Sequence, residues 1–284
     1  MLSYKIFKGL LPCIVILYSI RVFSFEKTRY HRIISLSPAI TRILYEIGVE
    51  HRVIGITLHC PKGTTKKHIL GTILEPNIEK IILLKPDLII LSKEFHNKQM
   101  EAKLRKFGFH VYVVDISYSF NDLCKNYCLL ATKLDRSKIA QQIIQQARLT
   151  INNIYNKTRF YSIAKNKTFF WEIGRYPLYT AGRKSLVNDY NYYSNTLNIY
   201  HDIRQSYFPV MIEDIIKRNP DIIIHTKYNN DILDTFWTQY KNIINAVTNS
   251  KIFIIDNNDI FSPTPLTFTK SLIILIKKIM VSTL

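Results

Sequence analysis

Asn77-Ile-Glu-Lys-Ile-Ile-Leu-Leu-Lys-Pro-Asp-Leu-Ile-Ile-Leu91 returns 134 residues later as Met211-Ile-Glu-Asp-Ile-Ile-Lys-Arg-Asn-Pro-Asp-Ile-Ile-Ile-His225. Eight of the fifteen positions are identical, among them the glutamates Glu79 and Glu213 and the Pro-Asp pairs at Pro86 and Pro220. Each copy reads as a short helix stopped by Pro-Asp and followed by a continuous apolar strand. Helix–Pro-Asp–strand is a common turn solution, which accounts for the prolines and isoleucines but not for the shared glutamate. A repeat of this spacing predicts two similar units.

Working outward, short apolar runs alternate with amphipathic stretches. Ile33 to Leu36 reads as a strand, Ser37-Pro38 starts a helix that ends at Gly48, and Val53 to Thr57 is a second strand. Asp87 to Leu91 and Val111 to Ile116 follow as strands, with a helix over Gln99 to Phe107 between them. Continuous apolar strands separated by helices predict a parallel sheet covered on both faces. Arg136 to Tyr155 has no Gly or Pro and carries the stripe Ile139, Ile143, Ala147, Ile151 and Ile154, a helix of roughly 30 Å. A second series opens at Thr168 to Ile173 and continues at Asp221 to Thr226 and Ile252 to Asp256. The expected fold is therefore α/β: two similar lobes with mostly parallel central sheets, one long backbone helix joining them, and a ligand cleft between them. The expected division is 1–24 signal peptide, 25–134 first lobe, 135–157 connecting helix and 158–284 second lobe.

The chain has 284 residues, 47% of them hydrophobic, 21% charged, and a net charge of +18. Its 39 basic residues are scattered rather than gathered on one face, so the charge reads as a solvated surface and not as a nucleic-acid footprint. Lys5 and Lys8, the apolar run Gly9 to Ile20 and Val22-Phe23-Ser24 read as a secretory signal. The run is too short for a comfortable span, so the chain is expected to be exported to the periplasm, and tethered to the membrane if the signal stays uncleaved. Cys13 lies inside the apolar run and is a poor lipoprotein site. Cys60, Cys124 and Cys128 remain beyond it, and buried free thiols are the expected state.

Four stretches in order resemble the periplasmic binding proteins that serve iron-chelate, haem and cobalamin importers. They are Arg32 to Gly48 with Val53 to Thr57, Glu75 to Ile90, Pro177-Leu-Tyr-Thr-Ala-Gly182, and Asp259-Ile-Phe-Ser-Pro-Thr-Pro265. The resemblance implies two sheets facing across a cleft, with a backbone helix that limits hinge bending. It implies capture of a metal chelate, an iron-siderophore, haem or cobalamin, and delivery to an ABC permease with its ATPase at the inner membrane. It implies that Glu79 and Glu213 dock onto permease arginines, against the alternative that each merely complements its helix dipole. No cofactor, resident metal or catalytic residue is expected.

Ligands of parallel sheets sit beyond the carboxyl ends of the strands. That rule selects the Ser37-Pro38 turn, the His59 loop, Tyr176 to Thr180, Tyr207-Phe208, and Phe261 to Pro265. The resemblance places His59, Tyr179 and Phe208 where relatives put ligand-contacting aromatics, so the expected cleft set is Ser37, Pro38, His59, Tyr176, Tyr179, Phe208 and Phe261. For a haem ligand, His59 or Tyr179 would be the axial donor. Relatives that bind anionic siderophores place an arginine after the last Pro-x-Pro, whereas this chain has Leu266, with Arg175, Arg183 or Lys184 as substitutes. That departure favours a neutral or weakly anionic chelate. A free transition metal is the alternative cargo, but the histidines are spread out. An exported α/β enzyme is the other rival, and no nucleophile elbow, phosphate loop or zinc helix supports it. A nitrogenase-like metallocofactor lobe would need cluster-ligating cysteines, and the three available are poorly placed.

Overall fold

The computed structural model describes residues 30–95, 97–161, 164–227, 235–256, 260 and 262–281. The proposed signal, Cys13 and Phe261 lie outside them. In the first lobe the chain runs β1 (Ile33–Ser35), α1 (Pro38–Glu46), β2 (Val53–Ile56), β3 (His68–Ile69), α2 (Ile78–Leu84), β4 (Leu88–Ser92), α3 (Lys98–Lys106) and β5 (Val111–Val114). All neighbouring strands are parallel, in the order β3-β2-β1-β4-β5. The uninterrupted apolar run of β4 has a simple cause. Leu88 and Ile90 point into one core and Ile89 and Leu91 into another, so helices cover both faces. Burial of each such side chain contributes about 1.5–3 kcal/mol.

Two helices leave the first lobe: α4 (Phe120–Lys133) and α5 (Ser137–Phe160), the latter 24 residues and about 36 Å long. The second lobe follows as β6 (Thr168–Glu172), β7 (Gly174–Arg175), β8 (Leu178–Ala181), α6 (Val187–Ser194), β9 (Leu197–Asn198), β10 (Tyr207–Pro209), α7 (Ile212–Arg218), β11 (Ile222–Lys227), α8 (Asn245–Thr248), β12 (Ile252–Asp256) and α9 (Pro265–Val281). Its parallel sheet is ordered β12-β11-β6-β9, and β10-β8-β7 form a small antiparallel sheet that the sequence pattern did not announce. Again both faces are buried: Phe169 and Trp171 point to one core, Phe170 to another. No helix of the described residues is long and apolar enough to cross a membrane.

The repeat has a mechanical explanation. Both α2 and α7 are seven residues long and end on a left-handed residue, Lys85 and Asn219, each with φ of 44°. The aspartate of each Pro-Asp then receives backbone N–H groups where the first strand of its own sheet begins. Asp87 accepts from His31 at 2.6 Å and Arg32 at 3.0 Å, and Asp221 accepts from Thr168 at 3.0 Å. Each aspartate thus satisfies donors that no strand partner reaches.

The long helix belongs to both lobes. Ala140 packs into the core of the first, Ala147 and Ile151 into that of the second, and Ile144 against both. Ile139, expected in the apolar stripe, is exposed instead. The buried face is one stripe at helical spacing, Ala140, Ile144, Ala147 and Ile151, and Ile139 lies about 100° around the helix from Ala140. Helix α4 is shared in the same way: Phe120, Leu123 and Cys124 pack with second-lobe residues, Tyr127 and Leu130 with the first. Polar bonds among the described residues also cross between lobes. Arg42 donates to the Ser262 carbonyl at 3.1 Å, Thr264 to Glu46 at 2.6 Å, and the Phe120 N–H to Asp189 at 2.6 Å. Burial raises the Glu46 and Asp189 carboxyls above their ordinary range. Both bonds stay formed whether these acids are ionised or neutral, since each acid only accepts.

Candidate ligand cleft

Sheet order fixes where a site forms. In the first lobe the chain runs outward from β1 to β2 and β3, then returns past β1 to β4 and β5, so the reversal falls between β1 and β4. Ser35 is in register with Ile90, which sends Ser37 and Ser92 off the sheet side by side. A cavity of about 180 Å³ opens at this point. The first lobe lines it with Ser37, Ser92, Glu94, the 115–118 loop after β5, and Asn126 of α4. The second lobe closes it with Ser185, Leu186, Ser206, Tyr207, Ile260 and Pro263. The cleft expected between the lobes is therefore present.

Local chemistry sets each hydroxyl. Ser92 accepts the Glu94 N–H at 3.3 Å and Ser117 accepts from Asn126 at 3.0 Å, so both keep a proton to donate. Ser185 donates to the Gly182 carbonyl at 2.7 Å and is left as an acceptor. Asn126 spends its NH₂ on the Asp115 carbonyl and Ser117, which leaves its carbonyl oxygen to accept. Gly182 is what lets the second-lobe wall form. A Cβ there would stand 2.5 Å from the Gln205 carbonyl and 2.7 Å from that of Ile203, and its N–H donates to Ser206 at 2.9 Å. This close approach holds Ser185 and Ser206 together.

Two acids line the cleft. Lys93 bonds Asp115 at 3.0 Å, and that contact, with the Ile116 N–H, holds the Asp115 carboxyl below its usual range. Glu94 has no cation beside it among the described residues; it is exposed at the cleft, and the protein around it raises its carboxyl. Tyr207 reaches in from the opposite lobe. It is 38% exposed and lines the same cavity as Glu94, and the surrounding protein and the nearby charge of Glu94 raise its phenol above the ordinary value.

The second sheet reverses between β6 and β11, and there the structure is plugged. Glu172 and His225 are paired in register. The buried Glu172 carboxylate accepts from Arg175, from Trp237 at 2.8 Å and from His225 Nδ1 at 3.0 Å. Burial pushes its carboxyl up, but hydrogen bonds from His225, Arg175 and Trp237 outweigh that and hold it below the usual range. Arg175 also lies 5.0 Å from the Phe236 ring centroid. Arg175 is thus held by Glu172 and Phe236, while Arg183 and Lys184 are exposed.

Of the sequence-selected residues, Ser37 lines the cavity, and Pro38 is the first residue of α1 beside it. His59 is exposed on the loop after β2, Tyr176 is 85% exposed, and Tyr179 on β8 is 38% exposed; none of the three lines the cavity. Phe208 packs edge-on against Tyr200 in a second-lobe core. Glu79 and Glu213 are exposed in the first turns of α2 and α7. Ser92, Glu94 and Asn126 were missed. The strand-end rule applied to β4 would have found the first two; Asn126 sits mid-helix, where sequence carries no such signal. The thiols of Cys60 and Cys124 are buried and free, and Cys128 is partly buried and free.

A family model described as periplasmic binding protein matches residues 33–258. An uncharacterised ABC transporter substrate-binding lipoprotein of Bacillus subtilis is 27% identical over 233 residues, covering 79% of this chain and 72% of that protein. A vitamin B12-binding protein of Vibrio parahaemolyticus is 24% identical over 238 residues, covering 83% and 85%. Among solved structures, one described as a possible iron-binding (periplasmic solute-binding) protein from Staphylococcus epidermidis is 28% identical. It has a TM-score of 0.76 and covers 88% of this chain and 99% of that one.

Proposed function

This chain belongs to the periplasmic binding protein family, and we propose that it is the exported receptor of an ABC importer whose cargo is a metal chelate. The observation that carries the reading is the cleft itself, walled by both lobes at the carboxyl ends of the first sheet and lined by hydroxyl, amide and carboxylate groups. Such groups suit the polar rim of a chelate whose metal is already coordinated. A cavity of about 180 Å³ is smaller than the 300–1,000 Å³ typical of drug-sized ligands, so a macrocycle would require the lobes to part slightly. The shared helices and cross-lobe bonds make that motion a small one.

Residues 1–24 would direct export, and the partner would be a permease with its ATPase. Glu79 and Glu213 would contact that permease. They are exposed at equivalent places in the two lobes, on helices locked by the same Asp-to-strand bonds, which suits a rigid two-point contact. Their double replacement by glutamine is expected to abolish receptor-stimulated transport and leave ligand affinity unchanged. A fall in affinity instead would make them structural.

The primary test is calorimetric titration of the purified protein with cyanocobalamin, haemin and ferric hydroxamates. Trp171 and Trp237 are both buried, so heat is a better readout than their fluorescence. Saturable one-to-one binding of one chelate, micromolar or tighter, is the expected result. A folded protein that binds none of them refutes the chelate reading.

A further inference from the structure

The cleft departs in charge from the molecule that contains it. The chain carries +18 overall, yet the described residues lining the cavity include two carboxylates and no lysine, arginine or histidine. Asp115 is balanced by Lys93 at 3.0 Å. Glu94 is not balanced by any described residue, and Tyr207 of the other lobe stands close to it. Arg175, on β7 at the far side of the small sheet from β10, is committed to Glu172, and the exposed Arg183 and Lys184 beside Ser185 are not among the residues lining the cavity.

We propose that the cleft selects by charge: it takes cationic or neutral chelates and rejects anionic ones, with Glu94 as the residue that sets the preference. This rests on the chelate-receptor reading and narrows it. The physical reason is that a ligand seated in the cavity would cover Glu94, which is exposed in the cleft, and displacing that water lowers the effective dielectric between them. That strengthens attraction to a cation and repulsion of an anion alike. Among the described residues that line the cavity, no cation offsets that charge for an anionic ligand. Ser92 and Ser117 can donate, and Asn126 and Ser185 can accept, so a neutral polar rim is satisfied without any charge. The basic outer surface does not contradict this, because exposed charges are screened within about 8–10 Å at physiological salt.

The test uses two scaffolds, each in three charge states. Ferrioxamine B carries a free amine, which acetylation neutralises and succinylation replaces with a carboxylate. A cyanocobalamin monocarboxylate and its aminoethyl amide flank neutral cyanocobalamin in the same way. Affinities are measured calorimetrically for the wild-type protein, Glu94→Gln and Asp115→Asn. On whichever scaffold binds, the cationic form is expected to bind at least about tenfold tighter than the anionic one. Glu94→Gln should reduce that ratio to within about threefold. Asp115→Asn should lower it too, because Lys93 then loses its partner, but by less, since that pair is exposed to solvent and screened. Equal affinity across a scaffold, or a ratio unchanged in Glu94→Gln, overturns the proposal and leaves the receptor reading intact. Failure of every member of both scaffolds to bind overturns this inference, and failure of haemin as well overturns the chelate reading with it.

Discussion

Glu172→Gln is the sharpest probe of the second lobe. The wild-type carboxylate accepts from three donors at once: Arg175, His225 and Trp237. It is 1% exposed, and the Arg175 side chain is 12% exposed. A carboxamide keeps the shape but has one accepting oxygen, and its NH₂ group must face at least one donor. The larger effect is the uncompensated guanidinium left in a nearly dry pocket. Breaking a buried pair by removing one partner costs about 3–5 kcal/mol, and that is the expected loss, read as a lower urea midpoint at unchanged slope. A second variant separates the orphaned charge from lost packing. Glu172→Gln combined with Arg175→Met removes both charges and is expected to be more stable than Glu172→Gln alone. The acid limb adds an independent check. The folded-state value of Glu172 lies below its ordinary 4.5, so its contribution is present above that pH. It is lost as pH falls through the folded value. Wild type should therefore converge on the variant in acid, starting below about pH 4.5. A loss under about 1 kcal/mol, strictly additive double-variant energies, or parallel acid limbs would each refute this account of the network.

Two further outcomes follow from the geometry. Lys85 and Asn219 occupy left-handed positions that disfavour residues with a Cβ, so Lys85→Gly is expected to raise stability by about 1 kcal/mol and Lys85→Val to lower it, in the same urea assay. Burial pushes the Cys124 thiol up to about 11 and raises Cys60 as well, whereas Cys128 is only partly buried. Iodoacetamide at pH 8 followed by peptide mapping should accordingly label Cys128 well before Cys60 or Cys124.

The internal repeat, the apolar strands and the glycine- and proline-free run before Tyr155 were enough to determine two α/β lobes, parallel sheets and a long joining helix. These features are legible because burial on both faces of a sheet leaves a continuous apolar run, and a repeat needs no third dimension to be seen. The exposed Glu79 and Glu213 were found the same way. Which side chains meet in the cleft was not readable in this way. Ser37 follows directly from the first strand, but Glu94 and Asn126 approach from β4 and α4, and Tyr207 from the other lobe. The aromatic residues Tyr176, Tyr179 and Phe208 were selected by type and strand-end position; Tyr176 stands in the turn between β7 and β8, Tyr179 on β8, and Phe208 on β10 packs into a core. Ile139 fell off the buried stripe because α5 offers apolar residues on two adjoining stripes, and the lobes pack on the one through Ala140, Ile144, Ala147 and Ile151. Sequence periodicity reports which face of an element is buried; only the packing of the lobes decides which distant residues share a pocket, because that depends on strand order, register and the small antiparallel sheet that closes the wall.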